Sequence, residues 1–219
     1  MKSVTFRNRS VVSPWPSLAA DCRGAAAVEY AAIGSTIFLL MIGIIEFMYA
    51  GFQWLSAETA THAGVRAAVV NNPIASGLKS WDCKAGTMTA GTSCADPQAA
   101  TLSIACTSTG ASTGTCAGWG GGFDDAAFTA VVDRMREIFP RVQRANVVVR
   151  YVDDFGASRL GFAGRPGGPI PLVTVELRDL NFDLIVVGAL LGMTSSTIPM
   201  PAFTATLTGE DMQTTWTPT

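Results

Sequence analysis

The chain has 219 residues, a formal net charge of −2 and only 15% charged side chains, and its single histidine is His62. That length suits one anchored domain of ordinary size, and the near-neutral balance argues against nucleic-acid binding as its main business. The mean hydropathy of +0.32 comes largely from one apolar segment near the N-terminus, so it describes no other region.

Residues 1–24 carry Lys2, Arg7, Arg9 and Arg23 against the single acid Asp21, and Pro14-Trp15-Pro16 disfavours a regular helix there. Arg23-Gly24-Ala25-Ala26-Ala27-Val28-Glu29-Tyr30 follows, and then an apolar run from Ala31 to Ile45. As one helix, residues 25–46 rise about 32 Å, against a hydrocarbon core of about 30 Å. Glu46 then reaches the far interface, while Glu29 sits just inside the near one. The two carboxylates lie about 100° apart around the helix and need separate explanations. For Glu46, placement at the interface comes first and a subunit contact second. Basic residues before the apolar run predict a cytoplasmic N-terminus. A cleaved secretory signal is the competing reading, but its apolar core would be too long and no clean Ala-x-Ala site follows.

Beyond Gln53 the helix is expected to turn amphipathic through about Val70, ended by Asn71-Asn72-Pro73. Glu58, His62 and Arg66 form one polar stripe at i, i+4, i+8. One histidine with one glutamate makes a poor metal site, so a solvated stripe is expected and no metal or cofactor. The small residues Ala57, Ala60, Ala63, Gly64, Ala67 and Ala68 permit close packing against neighbouring helices, although helix propensity accounts for many of them as well.

Gly24, five residues ending in Glu29, then Tyr30 and a long apolar helix together resemble the processing site of type IV pilin-like proteins. The small residues after the glycine and the Glu-Tyr ending resemble the tight-adherence (Flp/Tad) class. Gly43-Ile44-Ile45-Glu46-Phe47, and the Ala/Gly/Arg-rich stretch from Ala60 to Ala68, are similar to TadE-like pseudopilins. The sequence departs from the commonest pattern at Met48 and Tyr49, where relatives often carry Gly-Arg. The resemblance implies that a membrane aspartyl prepilin peptidase cuts between Gly24 and Ala25. The new ammonium on Ala25 would need a counter-charge, which Glu29 of the same or a neighbouring subunit supplies. Glu46, Phe47, Gly64 and Arg66 become candidates for the helix interface. The implied partners are the major pilin, other minor pseudopilins, the peptidase and the inner-membrane assembly platform.

Residues 71–122 form a Gly/Ser/Thr-rich loop region too poor in large apolar side chains to order itself, but it holds Cys83, Cys94, Cys106 and Cys116. Outside the cytoplasm these make two disulfides. Of three connectivities, the sequence-local pairs Cys83–Cys94 and Cys106–Cys116 close the shortest loops and are expected. Cys22 would leave with the leader or stay in the reducing cytoplasm. Asp124 or Asp125 should cap an amphipathic helix to about Phe139, with Phe128, Val131, Val132, Met135 and Ile138 on its apolar face and Pro140 at its end. Strands are expected at residues 146–152, 172–177 and 203–207. Leu184 to Met193 is too short an apolar run to cross a membrane and reads as core or subunit contact. The last strand, entering Gly209-Glu210-Asp211, also resembles the C-terminal end of TadE-like proteins.

The expected architecture is therefore α+β: a long N-terminal transmembrane helix with an amphipathic extension (residues 25–70), then the stapled loop. A small external domain follows (residues 123–219), one helix on a short antiparallel sheet. Asp124 with Asp125, and Asp153 with Asp154, are sequence neighbours and do not pair for acid–base chemistry. Gly164-Arg165-Pro166-Gly167-Gly168 lacks the lysine and helix start of a phosphate cradle and reads as a turn. No catalytic constellation emerges, so the chain is read as a peptidase substrate and not as an enzyme. Its alternatives are an anchored binding or sensor module that keeps residues 1–24, and an anchored enzyme with a pocket within residues 140–210.

Overall fold

A computed structural model describes residues 24–118, 122–153, 159–164, 170–183, 186, 188, 197–209 and 212. The leader with Cys22, Gly120-Gly121, Asp154, residues 165–168, most of the 184–193 run and Glu210-Asp211 lie outside the described residues. The chain divides into two units, with the boundary between Ile45 and Glu46.

Helix α1 spans Ala25–Val70. In its first unit, residues 25–45 are exposed or half-buried throughout. The most apolar stretch of 18 residues has a mean hydropathy of 2.1 and no buried residue, long and apolar enough to cross a membrane. The polar side chains there bond inward: Ser35 and Thr36 donate their hydroxyls to the Ala32 carbonyl at 2.9 and 3.0 Å. Such back-bonding keeps hydroxyls satisfied where no water is present.

From Glu46 onward the same helix gains a buried stripe. Gln53, Ala57, Ala60, Thr61, Gly64, Val65, Ala68 and Val69 recur every three or four positions and are buried, while Glu58, His62 and Arg66 face solvent. The helix ends where Asn71 donates both its backbone N–H and its side-chain amide to the Ala67 carbonyl, two residues before Pro73.

Strands β1 (Ser103–Ser108) and β2 (Gly114–Gly118) come next, then helix α2 (Asp125–Arg136) and strands β3 (Val147–Val152) and β4 (Leu172–Leu177). The chain continues through β5 (Asn181–Asp183), β6 (Thr197–Pro199) and β7 (Phe203–Thr208). Five strands make one antiparallel sheet in the order β2-β1-β3-β4-β7, and β5 and β6 form a separate two-stranded ribbon. Asp124 caps α2, its carboxylate accepting the Ala127 N–H at 3.0 Å. The helix stops at Arg136, short of the expected Phe139, because Ile138 and Phe139 fold into a turn on the Met135 carbonyl.

The register explains the core. Ile104 lies opposite Tyr151, which lies opposite Val173; Cys106 faces Val149, Val175 and Ala205 in turn. These alternate positions are buried together with Phe128, Val131, Val132 and Met135 of α2 and with the stripe of α1 from Ala57 to Val69. One face of the sheet thus carries both helices. The opposite face presents Arg150 against Glu176 and Thr174 against Thr206. At the junction behind α1, the Tyr151 hydroxyl accepts the Ile74 N–H at 3.1 Å, and the Ile74 carbonyl accepts the Asp124 N–H at 2.7 Å. The end of α1 and the start of α2 are tied to the same central strand.

Both disulfides are the sequence-local ones, Cys83–Cys94 and Cys106–Cys116. The second joins residues directly opposite in the β1–β2 ladder. Residues 71–122 therefore differ from the loop expected of them: they supply two of the five sheet strands. Ser103–Ser108 holds one large apolar residue, Ile104, so the alternation is carried by Cys106, a residue read for its disulfide and not for its burial. The β5–β6 ribbon was not anticipated either. Its strands are three residues each, too short to show a period.

Candidate functional site

Gly24 and Ala25 head α1 and are exposed, and among the described residues nothing beyond its chain neighbours comes within 4 Å of where a Cβ on Gly24 would lie. Glu29 and Tyr30 are exposed one turn further on, Tyr30 at 80%. Backbone N–H groups of the first helical turn have no intrahelical acceptor, so this end already favours a negative charge beside it. The Gly24–Ala25 bond is thus reachable, and Glu29 stands about 6 Å along the axis from Ala25.

The interface candidates divide. Phe47 is 81% exposed and Arg66 is exposed as well, both available to another chain. Gly64 is taken inside the chain: a Cβ placed on it would meet Met135 Sδ at 2.7 Å and Cγ at 2.8 Å. The small residues Ala57, Ala60, Gly64 and Ala68 serve the packing of α1 onto its own α+β layer, because they are the ones the core buries. Glu46 is also turned inward. It is buried, and its carboxylate accepts the Val186 backbone N–H.

Gln53 was not singled out by the sequence. It is 2% exposed, and its Oε1 accepts from Arg141 Nη1 at 2.6 Å, while Arg141 Nη2 donates to the Asn181 carbonyl at 3.2 Å. This links α1 to the turn after α2 and to the β5–β6 ribbon. The only available signal was a glutamine at a position the apolar stripe should occupy.

Two further acids, Asp125 and Asp153, sit beside arginines. Asp125 pairs with Arg144, which also donates to Thr129 Oγ1 at 2.6 Å and lies 5.0 Å over the Phe128 ring. Asp153 is 1% exposed, with Arg159 Nε 3.8 Å from its carboxylate and, among the described residues, no hydrogen bond to either oxygen. Arg159 in turn donates to the Ala99 carbonyl, joining the end of β3 to the disulfide loop. No group of three or more His, Cys, Asp or Glu side chains suited to a metal occurs among the described residues.

An open pocket of about 220 Å³ lies between α1 and the start of β7, lined by Trp54, Glu58, Thr61, His62, Ala202, Phe203 and Thr204. Trp54 meets Phe203 edge to face at 4.9 Å and stacks on Phe182 at 6.4 Å. Its one carboxylate, Glu58, and His62 belong to the polar stripe of α1.

No curated protein and no solved structure matches the chain. Residues 24–66, from the exposed glycine through the polar stripe, match the family described as TadE-like protein, the family that the sequence resembles.

Proposed function

We propose that the protein is a minor pseudopilin that takes part in assembling a tight-adherence type IV pilus, and that a prepilin peptidase processes it between Gly24 and Ala25. The observation that carries this reading is the match over residues 24–66, whose first residue is the exposed glycine at the head of an apolar helix. Hydrolysis of the Gly24–Ala25 amide leaves a carboxylate on the leader and an ammonium on Ala25. Glu29 of the same or a neighbouring subunit neutralises that ammonium, which offsets the desolvation of both charges in an apolar setting. The helix of residues 25–45 is the inner-membrane anchor, with the N-terminus cytoplasmic and the α+β layer on the opposite side, where its disulfides form. The major pilin, other minor pseudopilins and the assembly platform are its partners. The chain acts as a structural component and as the peptidase's substrate, and performs no chemistry itself.

Complementation in the native host tests this. Cells lacking the chain should regain surface pili, counted by electron microscopy, with the wild-type copy but not with Glu29→Leu. Equal piliation by wild-type, Glu29→Leu and empty-vector cells would overturn the assignment.

A further inference from the structure

Strand β7 pairs with β4 and with no other strand among the described residues, so it is an edge of the sheet. The Gly209 N–H donates to the Pro171 carbonyl at 2.8 Å, in step with the pair Leu172↔Thr208. Hydrogen-bonded positions in an antiparallel ladder alternate, so Phe203, Ala205 and Leu207 bond to β4. The N–H and C=O groups of Thr204 and Thr206 then point away from it. Both threonines are exposed. Sheet edges are ordinarily blunted by a charge, a proline or a bulge. Phe203–Thr208 reads Phe-Thr-Ala-Thr-Leu-Thr and contains none of these.

The pocket begins where this edge begins. Ala202, Phe203 and Thr204 form one wall and Trp54, Glu58, Thr61 and His62 of α1 the other. The arrangement is a groove between a strand edge and a helix, in which an added strand is held by main-chain bonds and a side chain is selected by the pocket. The selection here has a sign. Glu58 is exposed, is the one carboxylate of the lining, and has no ion pair or hydrogen bond among the described residues. Trp54, 39% exposed, and the buried Phe203 share the lining with it. Aromatic rings with a free carboxylate suit a cation.

We infer that this groove receives an extended segment of a partner protein, added as a strand along β7, with a lysine or arginine side chain seated between Trp54, Phe203 and Glu58. This rests on the groove alone and not on the pilus assignment.

The test uses the full chain in lipid nanodiscs and three fluorescein-labelled peptides. Two are octapeptides of alternating threonine and valine, with a central lysine in one and glutamate in the other; the third copies residues 202–208. Fluorescence anisotropy should show the lysine peptide bound about fivefold more tightly than the glutamate peptide, as an exposed ion pair with a cation–π contact allows. Glu58→Gln should abolish that preference. Thr206→Pro removes an outward N–H while leaving the bonds to β4 in place, and should weaken binding by about tenfold. Hydrogen exchange at the Thr204 and Thr206 amides should slow with the lysine peptide. Equal binding of the lysine and glutamate peptides, or undiminished binding by Thr206→Pro, would overturn the inference. So would tightest binding of the 202–208 peptide, which would make the edge a self-pairing surface.

Discussion

The contact between Gly64 and Met135 fixes how closely α1 approaches α2, and its energy can be worked from the geometry. A Cβ at position 64 would lie 2.7 Å from Met135 Sδ and 2.8 Å from Cγ. Ordinary contact needs several tenths of an ångström more, and Met135 is fully buried in a close-packed interior that resists its displacement. Overpacking of this kind costs about 1–3 kcal/mol, while replacing a mid-helix glycine by alanine contributes about 1 kcal/mol in favour of the helix. Gly64→Ala should therefore destabilise the wild-type background by about 1 kcal/mol. Met135→Ala removes the obstructing atoms, at a cost of its own of about 2–5 kcal/mol. In that background Gly64→Ala should stabilise by about 1 kcal/mol, a reversal of sign. The assay is thermal unfolding of the full chain in detergent micelles, followed by tryptophan fluorescence for the four members of the cycle. If Gly64→Ala shifts the melting temperature in the same direction with and without Met135, the packing described is wrong.

Tyr151 offers a pH readout. Burial pushes its phenol above the ordinary tyrosine range, and the bond from Ile74 and the charge of Asp124 are smaller influences. A raised value means the folded chain keeps a proton that the unfolded chain releases. That part of the stability is complete at neutral pH and falls away as pH rises past about 10, and Tyr151→Phe should remove the dependence. The same substitution leaves the buried Ile74 N–H without an acceptor and should cost about 1–3 kcal/mol at pH 7, measured by thermal unfolding. Replacing Cys83 and Cys94 together by serine frees a pair separated by 11 residues, and should lower stability by about 3 kcal/mol, against the unreduced wild type. Arg144→Lys keeps the charge but cannot serve Asp125, Thr129 and the Phe128 ring at once, so it should cost about 1–3 kcal/mol in the same assay. The exposed Arg134→Lys, by contrast, should stay within about 0.5 kcal/mol.

Long-period features were legible from residue order. The apolar run with its buried continuation, the cap at Asp124, the strands rich in valine and the two local disulfides all follow from spacing and composition. What escaped the sequence depends on pairing across distance. Ser103–Ser108 becomes a strand because β3 and a facing cysteine hold it in register, not because its own side chains alternate strongly. The small residues around Gly64 suit any close helix contact, and only the fold assigns them to α2. Glu46 shows the same limit: a carboxylate at the end of an apolar stretch reads as meeting water, yet it accepts a backbone N–H some 140 residues away. The groove along β7 was invisible because its two walls, residues 54–62 and 202–204, are brought together only by the sheet order.

The central claim concerns the bond after Gly24. Intact-mass measurement with N-terminal sequencing, on protein extracted from membranes of the native host, tests it most directly. The mature chain should start at Ala25, and the chain should stay full-length when Gly24 is replaced by a bulky residue such as tryptophan. A wild-type chain that still begins at Met1 or Lys2 in cells with active prepilin peptidase would contradict it. The apolar helix would then be a plain anchor.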